Sequence, residues 1–521
     1  ALQARVMAKL YLNKLFPKLV SSLAVLLLLR QFRYVACEAK LPEDEAKALD
    51  GLMTTLGWYT FHQISGSSCG VEGIHFTYEN STVCHVTGLD LSSREFKGQI
   101  DAEALASLVF LQRIDLSSNQ LQGSIPVAMG NLPSLNYLDL SKNQLDGSIP
   151  VTMGNLPSLT SLDLSKNQLD GSIPVTMGNL PSLTSLDLSN NQLHGSIPVT
   201  MGNLSSLTSL DLSYNQLHGI ILVTIGNLPS LTYLDLSTNF LKGSIPSSLG
   251  NLSSLQYFRL SRNFLNGSIP SSLGNLSSLE YLILWYNMLS GEIPKELGNL
   301  SHLQSMALGF NELTGQLPPE LGRLGSLYAF DLGSNNLSGE LPGNYANFNS
   351  DHLRWFSVAG NRLTGQVPSF IAKWTGLSYL SLSGNDFEGQ LPLEPLFNMS
   401  NLRYLFVSDV RSSGFPTNAN MTKIRYLVIR NCSISGEIPP YIGNWSWLTY
   451  LDLSFNNLTG GIPDSMKNLN LTKMFLTGNM LNGTVPSWVP DKAYVMALCS
   501  LLRWVVFPFV DFLNKILICK Q

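Results

Sequence analysis

Apolar residues recur along this chain with one dominant period. Leucines hold the fixed positions of a unit LxxLxLxxNxLxGxIP, and polar residues fill the gaps between them. The asparagine of LxLxxN falls at 119, 143, 167, 191, 215, 239, 263, 287, 311 and 335, ten positions stepped by 24 residues without a slip. Less regular units put Arg94 in that slot before the run and Asn361, Asn385, Val410, Cys432, Asn456 and Asn479 after it, for 17 units in all. Such a period marks a solenoid, because a single unit can bury its apolar side only against its neighbours. Residues 150–173 and 174–197 differ only at Lys166/Asn190 and Asp170/His194, as duplicated units do.

Each fixed position carries a structural expectation. In Leu138-Asp139-Leu140 the alternation places both leucines inward from a short strand and Asp139 outward. Leu135, Leu145 and Ile149 complete the inner face. Asn143 stands where the chain leaves the strand, and a buried amide must be hydrogen-bonded, so the asparagines should pair with the backbone of adjacent turns. Gly147 permits the tight turn and Pro150 fixes φ where no ladder donor is required. The expected fold is an α/β repeat solenoid with a parallel sheet on its concave face.

The ends depart from this pattern. Pro42-Glu43-Asp44-Glu45 followed by Ala46, Leu49, Leu52, Met53 and Leu56 predicts a helix with acids in its first turn and apolar residues at i+3/i+4 spacing. It should cap the open end of the repeat core, since array ends need covers. Ala1 to Val6 precede the first methionine, Met7; then Lys9, Lys14 and Lys18 lead into an apolar run from Leu19 to Leu29. With small residues around Cys37-Glu38-Ala39, residues 1–39 are expected to be a signal peptide with upstream residues. A membrane anchor or buried helix is the other reading of that run, which is short for a span. The cap then covers 40–84, the repeats 85–486, and an apolar tail 487–521. From Tyr494 to Cys519 the tail carries Arg503, Asp511, Lys515 and Pro508; a membrane span, a capping helix and a truncated or misread gene segment all fit it.

Composition narrows the function. Charged residues make up 13% of the chain and the net charge is −4, so no broad basic face awaits nucleic acid. Cys69 and Cys84 flank the segment before the first repeat, which suits a disulfide in an oxidising compartment; two free buried thiols are the alternative. Fourteen N-x-[ST] sequons agree with secretion: Asn80, Asn203, Asn251, Asn266, Asn275, Asn299, Asn336, Asn398, Asn420, Asn431, Asn444, Asn457, Asn470 and Asn482. Four of them, Asn203, Asn251, Asn275 and Asn299, share one repeat phase that Asn444 continues. The same slot reads Asn-Leu-Pro at Asn131, Asn155, Asn179 and Asn227, which leaves a sugar-free early flank or reflects drift among duplicated units. No phosphate loop, kinase motif, zinc spacing or nucleophile elbow occurs, so neither an enzyme nor a metal or cofactor site is expected. The seven histidines are scattered and read as solvated surface.

The unit running from Leu289-Ser290-Gly291-Glu292-Ile293-Pro294 to Leu297-Gly298-Asn299-Leu300 resembles the plant-specific leucine-rich-repeat class, over residues 40–486. Leu41-Pro42-Glu43-Asp44-Glu45 and Cys84-His85-Val86-Thr87 at one end are similar to the leucine-rich-repeat malectin receptor-like kinases of plants. So are Leu405-Phe406-Val407-Ser408-Asp409, Met421-Thr422-Lys423, Arg430-Asn431-Cys432-Ser433 and Leu476-Thr477-Gly478-Asn479 at the other. The resemblance implies an extracellular, superhelical receptor-like ectodomain at the plasma membrane or in the apoplast. It would bind a peptide or protein ligand and signal through a co-receptor kinase. A secreted inhibitor similar to the polygalacturonase inhibitors, and a fragment of a full receptor kinase, are the alternatives.

Recognition should lie on the variable positions of the strands. Early units fill these with Thr160, Ser161, Asp163, Ser165 and Lys166, which offer little to anchor a ligand. From the seventh regular unit Tyr257, Arg259, Arg262, Tyr281, Trp285, Tyr286, Phe310, Arg354 and Trp355 take the exposed slots. Aromatic and arginine side chains dominate binding hot spots, which makes residues 257–355 the expected contact patch. The other reading is that the rings stack on their sheet neighbours.

Overall fold

The computed structural model describes residues 39–58, 69–79, 83–482, 484 and 486–488. The expected signal segment up to residue 38 with Cys37, the Asn80 sequon, and the tail from 489 with Cys499 and Cys519 lie outside the described residues. The chain divides into two compact units, residues 1–159 and 160–521.

In the first unit, helix α1 (Glu43–Leu56) starts after Pro42 and ends at Gly57, whose left-handed φ of 88° closes the last turn. Leu49, Leu52, Met53 and Leu56 are fully buried, as the spacing predicts. Glu45 does more than face the helix dipole. It is buried, accepts the Val86 N–H at 2.9 Å and contacts His85 Nδ1 at 2.5 Å. It thereby ties α1 to strand β2 (Cys84–Asp90). His85 is therefore not the solvated surface residue expected of it: its side chain is 13% exposed, and its ring lies 4.0 Å from that of Phe110. Burial alone would lower the His85 pKa, but the Glu45 and Glu79 carboxylates outweigh it and raise it. Strand β1 (Ile74–Tyr78) pairs antiparallel with β2, and Cys69 is disulfide-bonded to Cys84.

The second unit repeats one backbone plan. Short parallel strands align Ser161, Ser185, Ser209, Tyr233, Tyr257 and Tyr281 in register. The central residue of each strand, among them Leu186, Leu210, Leu234 and Phe258, is fully buried. The asparagine ladder bonds each unit to the one before. Asn239 Oδ1 accepts from Leu217 N–H at 2.9 Å, while its Nδ2 donates to Leu212 O at 3.0 Å and Leu236 O at 3.2 Å. Pro198 and its equivalents precede short 3-10 turns such as Val199–Asn203, which the periodicity did not distinguish from loop.

Two features were not legible as elements. The residue before each ladder asparagine is left-handed: Lys166, Asn190, Tyr214, Thr238, Arg262, Tyr286, Phe310 and Ser334 have φ between 53° and 62°. Beyond the asparagine, a second row of parallel strands forms from His218–Ile220, Phe240–Gly243, Phe264–Gly267, Met288–Glu292 and Glu312–Thr314. Where Val410 and Cys432 replace the asparagine, strands Tyr404–Ser408 and Tyr426–Arg430 run on to five residues in register. Without the amide that turns the chain, ladder pairing simply continues.

Candidate functional site

The variable strand positions of the second unit fall into columns, because parallel neighbours stand about 4.8 Å apart with side chains in register. One column begins with Ser161, Ser185 and Ser209 and becomes Tyr233, Tyr257 and Tyr281. It continues through Ser305 and Ala329 to Trp355, Tyr379, Tyr404, Tyr426 and Tyr450. The first aromatic run is stacked: Tyr233 on Tyr257 at 4.6 Å and 6° between planes, then Tyr257 against Tyr281 at 5.5 Å. The second begins with Trp355 flat on Tyr379, 3.5 Å apart. Between the runs the small side chains of Ser305 and Ala329 leave the column low.

The next column carries charge. Asp163, Asp187, Asp211 and Asp235 stand in register, each accepting a backbone N–H two residues on, as Asp187 does from Ser189 at 2.8 Å. Burial, with repulsion from Asp163 and Asp211, pushes the Asp187 carboxyl up to about 6. Arg259 ends the acidic series. Its guanidinium lies 3.7 Å from Asp235 and donates through Nε to Ser261 Oγ at 3.1 Å. Burial works against the Arg259 charge, but Asp235 and Tyr257 hold its pKa above the ordinary value.

The nine residues singled out in the sequence do not form one cluster. Tyr257, Arg259 and Tyr281 lie on the strands. Arg262, Trp285, Tyr286 and Phe310 gather at the left-handed turns: Arg262 sits over the Trp285 ring at 5.0 Å, and Tyr286 stacks on Phe310 at 5.1 Å. Trp355 belongs to the second aromatic run, and Arg354 folds back toward the Leu353 carbonyl at 3.4 Å. They are also less open than their slots imply. All but Tyr286, which is 38% exposed, are half-buried, because the rings cover one another. The stacking reading and the ligand-contact reading thus rest on the same side chains.

Sequence reasoning missed Tyr233, Tyr379, Tyr404, Tyr426 and Tyr450, although they occupy the slot of Tyr257; reading each slot down all repeats would have found them. It also missed Phe240 and Phe264, whose exposed rings stack 6.1 Å apart just past the ladder asparagine. Of the sequon asparagines within the described residues, all are exposed except the half-buried Asn336. No group of acidic, histidine or cysteine residues suited to a metal ion occurs among the described residues. No described helix is long and apolar enough to cross a membrane.

Comparison with known proteins gives the site a context. A family model described as "Leucine-rich repeat region" matches residues 68–219 and 201–419, and one described as "Leucine Rich Repeat" matches 423–445 and 447–469. Over 83 residues the chain is 46% identical to a probable LRR receptor-like serine/threonine-protein kinase of Arabidopsis thaliana, covering 16% of this chain and 8% of that protein. It is 37% identical over 83 residues to Receptor-like protein 52 of the same plant, covering 15% of this chain and 10% of that one. The matched segment is thus under a tenth of the kinase relative's length. Among solved structures, a plant peptide hormone receptor in complex with its peptide, RGFR1 with RGF2, is 33% identical with a TM-score of 0.70, over 76% of this chain and 66% of that one. A TDR receptor is 32% identical with a TM-score of 0.71, over 76% and 68%.

Proposed function

The chain belongs to the leucine-rich-repeat family, and from that premise we propose that it is a receptor-like recognition protein that binds a peptide or protein ligand on the concave face, across residues 257–355. The observation that carries this reading is the change in the strand columns from Ser and Asp to Tyr, Arg and Trp on an unchanged backbone. Such side chains bury large areas at modest entropic cost. Their mutual stacking fixes them before a ligand arrives, which lowers the ordering cost of binding. The likeness to a peptide hormone receptor solved with its peptide supports a peptide as ligand.

The exposed sequon asparagines and the Cys69–Cys84 disulfide support a place in the secretory pathway, at the outer face of the plasma membrane or in the apoplast. The terminal motifs support the narrower relation to the malectin receptor-like kinases, and with it a partner kinase for signalling. Panning the purified chain against a displayed library of random dodecapeptides tests the reading. Trp285→Ala combined with Trp355→Ala should cut binding of the enriched peptides at least about tenfold, about 1.4 kcal/mol. Unchanged binding would remove the concave face from the account.

A further inference from the structure

Beside the concave strands, where the chain turns from each ladder asparagine into the second row of strands, a cavity of about 570 Å³ opens. Thr238, Phe240, Arg262, Phe264 and Tyr286 line it. Its floor is closed to new partners, since the amides of Asn215, Asn239 and Asn263 are engaged in the ladder. Its walls are not. The Phe240 and Phe264 rings lie 14° from parallel and are 51% and 49% exposed, an apolar shelf that ends in the next unit but one at Glu312. Arg262 lies across the faces of Trp285 and Tyr286, 5.0 and 5.9 Å from their centres. Its guanidinium has no hydrogen bond and no ion pair among the described residues.

Thr238 adds a third independent feature. Among the described non-glycine residues with positive φ it alone is β-branched. Its Oγ1 is buried without a hydrogen-bond partner. A β-branched residue disfavours this conformation, and a buried hydroxyl is seldom left unbonded. The cavity wall therefore holds an unpaired cation on an aromatic bed and two exposed rings, beside a strained turn whose unbonded hydroxyl is closed to solvent.

We propose that this cavity binds an acidic side chain carried next to an aromatic one in a peptide: the carboxylate pairs with Arg262, and the ring packs on Phe240 and Phe264. Arginine presents a planar fork matched to a carboxylate, and its position over two rings fixes that fork in place. The inference deepens the peptide-recognition reading and rests on it, but concerns a face beside the strands.

Capped dipeptides isolate each part. Acetyl-Asp-Phe-amide, acetyl-Asn-Phe-amide and acetyl-Asp-Ala-amide are titrated into the full chain and followed by ligand-observed saturation-transfer NMR. The first should bind at least about tenfold more tightly than either of the others. Arg262→Gln should abolish the preference for Asp over Asn, Arg262→Lys should keep part of it, and Phe264→Ala should abolish the preference for Phe over Ala. Equal binding of the three dipeptides, or an Asp preference that survives Arg262→Gln, would overturn the proposal. Failure of the concave-face reading shows elsewhere, as dodecapeptide binding retained by the Trp285/Trp355 variant, so the two outcomes are separable.

Discussion

Strands Ser185–Asp187 and Tyr257–Arg259 have the same length and the same parallel register, and each buries its central side chain completely. One shows the exterior a serine and an aspartate; the other shows a tyrosine and an arginine. The fixed apolar and asparagine positions set the shape in both places, so the difference between them is free of any demand from the fold. In the early strands that freedom is used for turn-capping aspartates, which crowd like charges into a column. In the middle strands it is used for rings and guanidinium groups, which neutralise the last aspartate and cover one another.

The comparison requires that both stretches rest on the same scaffold. Asn191 and Asn239 make the same three backbone bonds, to Leu169, Leu164 and Leu188 in one case and Leu217, Leu212 and Leu236 in the other. Alanine at either should therefore cost about 3 kcal/mol, through backbone groups left buried without partners. Local opening free energies from native-state hydrogen exchange measure this. Clearly unequal costs would break the comparison at its base.

The acidic column should make the early strands sensitive to pH. The Asp187 carboxyl titrates near 6 in the folded chain, above its unfolded value of about 4. The folded state therefore holds its proton longer. The stabilisation is full below about pH 4 and is lost as the pH rises through about 6, with a total on the order of 2 kcal/mol. Exchange of the amides around residues 185–191 should be slower at pH 5 than at pH 7 after correction for the intrinsic rate, and Asp187→Asn should remove the difference.

Smaller effects sharpen the contrast. A double-mutant cycle on Trp355 and Tyr379, stacked at 3.5 Å, should give a coupling of about 1 kcal/mol in denaturant unfolding. The Ser185–Ser209 pair in the same column should give a coupling near zero. Smallest, Thr238→Gly should stabilise its turn by up to about 1 kcal/mol, since it relieves a left-handed β-branched residue and removes an unbonded hydroxyl. A loss of stability would mean that Thr238 makes a contact the backbone depends on.

The scaffold was legible because its causes are local and repeated. Leu138, Asp139 and Leu140 announce their faces by alternation, and Asn143 announces its bonds by being a polar residue among buried leucines. The left-handed residues before each asparagine were not legible, since Lys166, Tyr214, Thr238 and Phe310 share no side-chain property; the turn imposes that conformation on whatever stands there. The contact between Glu45 and His85 was illegible for a different reason. An acid in a first helical turn is ordinary, and only the return of the chain at β2, 40 residues later, gives it His85 as a partner. The candidate patch was half legible: the residue types drew attention to Trp285 and Arg262, but their division between strand column and turn needed the register.

On the proposed reading recognition lies in the departures from the repeat, and grafting the early surface onto the middle tests that most directly. Tyr257→Ser, Arg259→Asp, Tyr281→Ser and Trp285→Ser together give the middle strands the character of Ser185 and Asp187 while leaving every buried leucine and ladder asparagine in place. Dodecapeptides enriched on the original chain should fall at least about a hundredfold in affinity for the grafted one, with its unfolding transition unchanged within about 2 kcal/mol. Equal affinity for both chains would contradict the account, because the repeat itself would then be what binds.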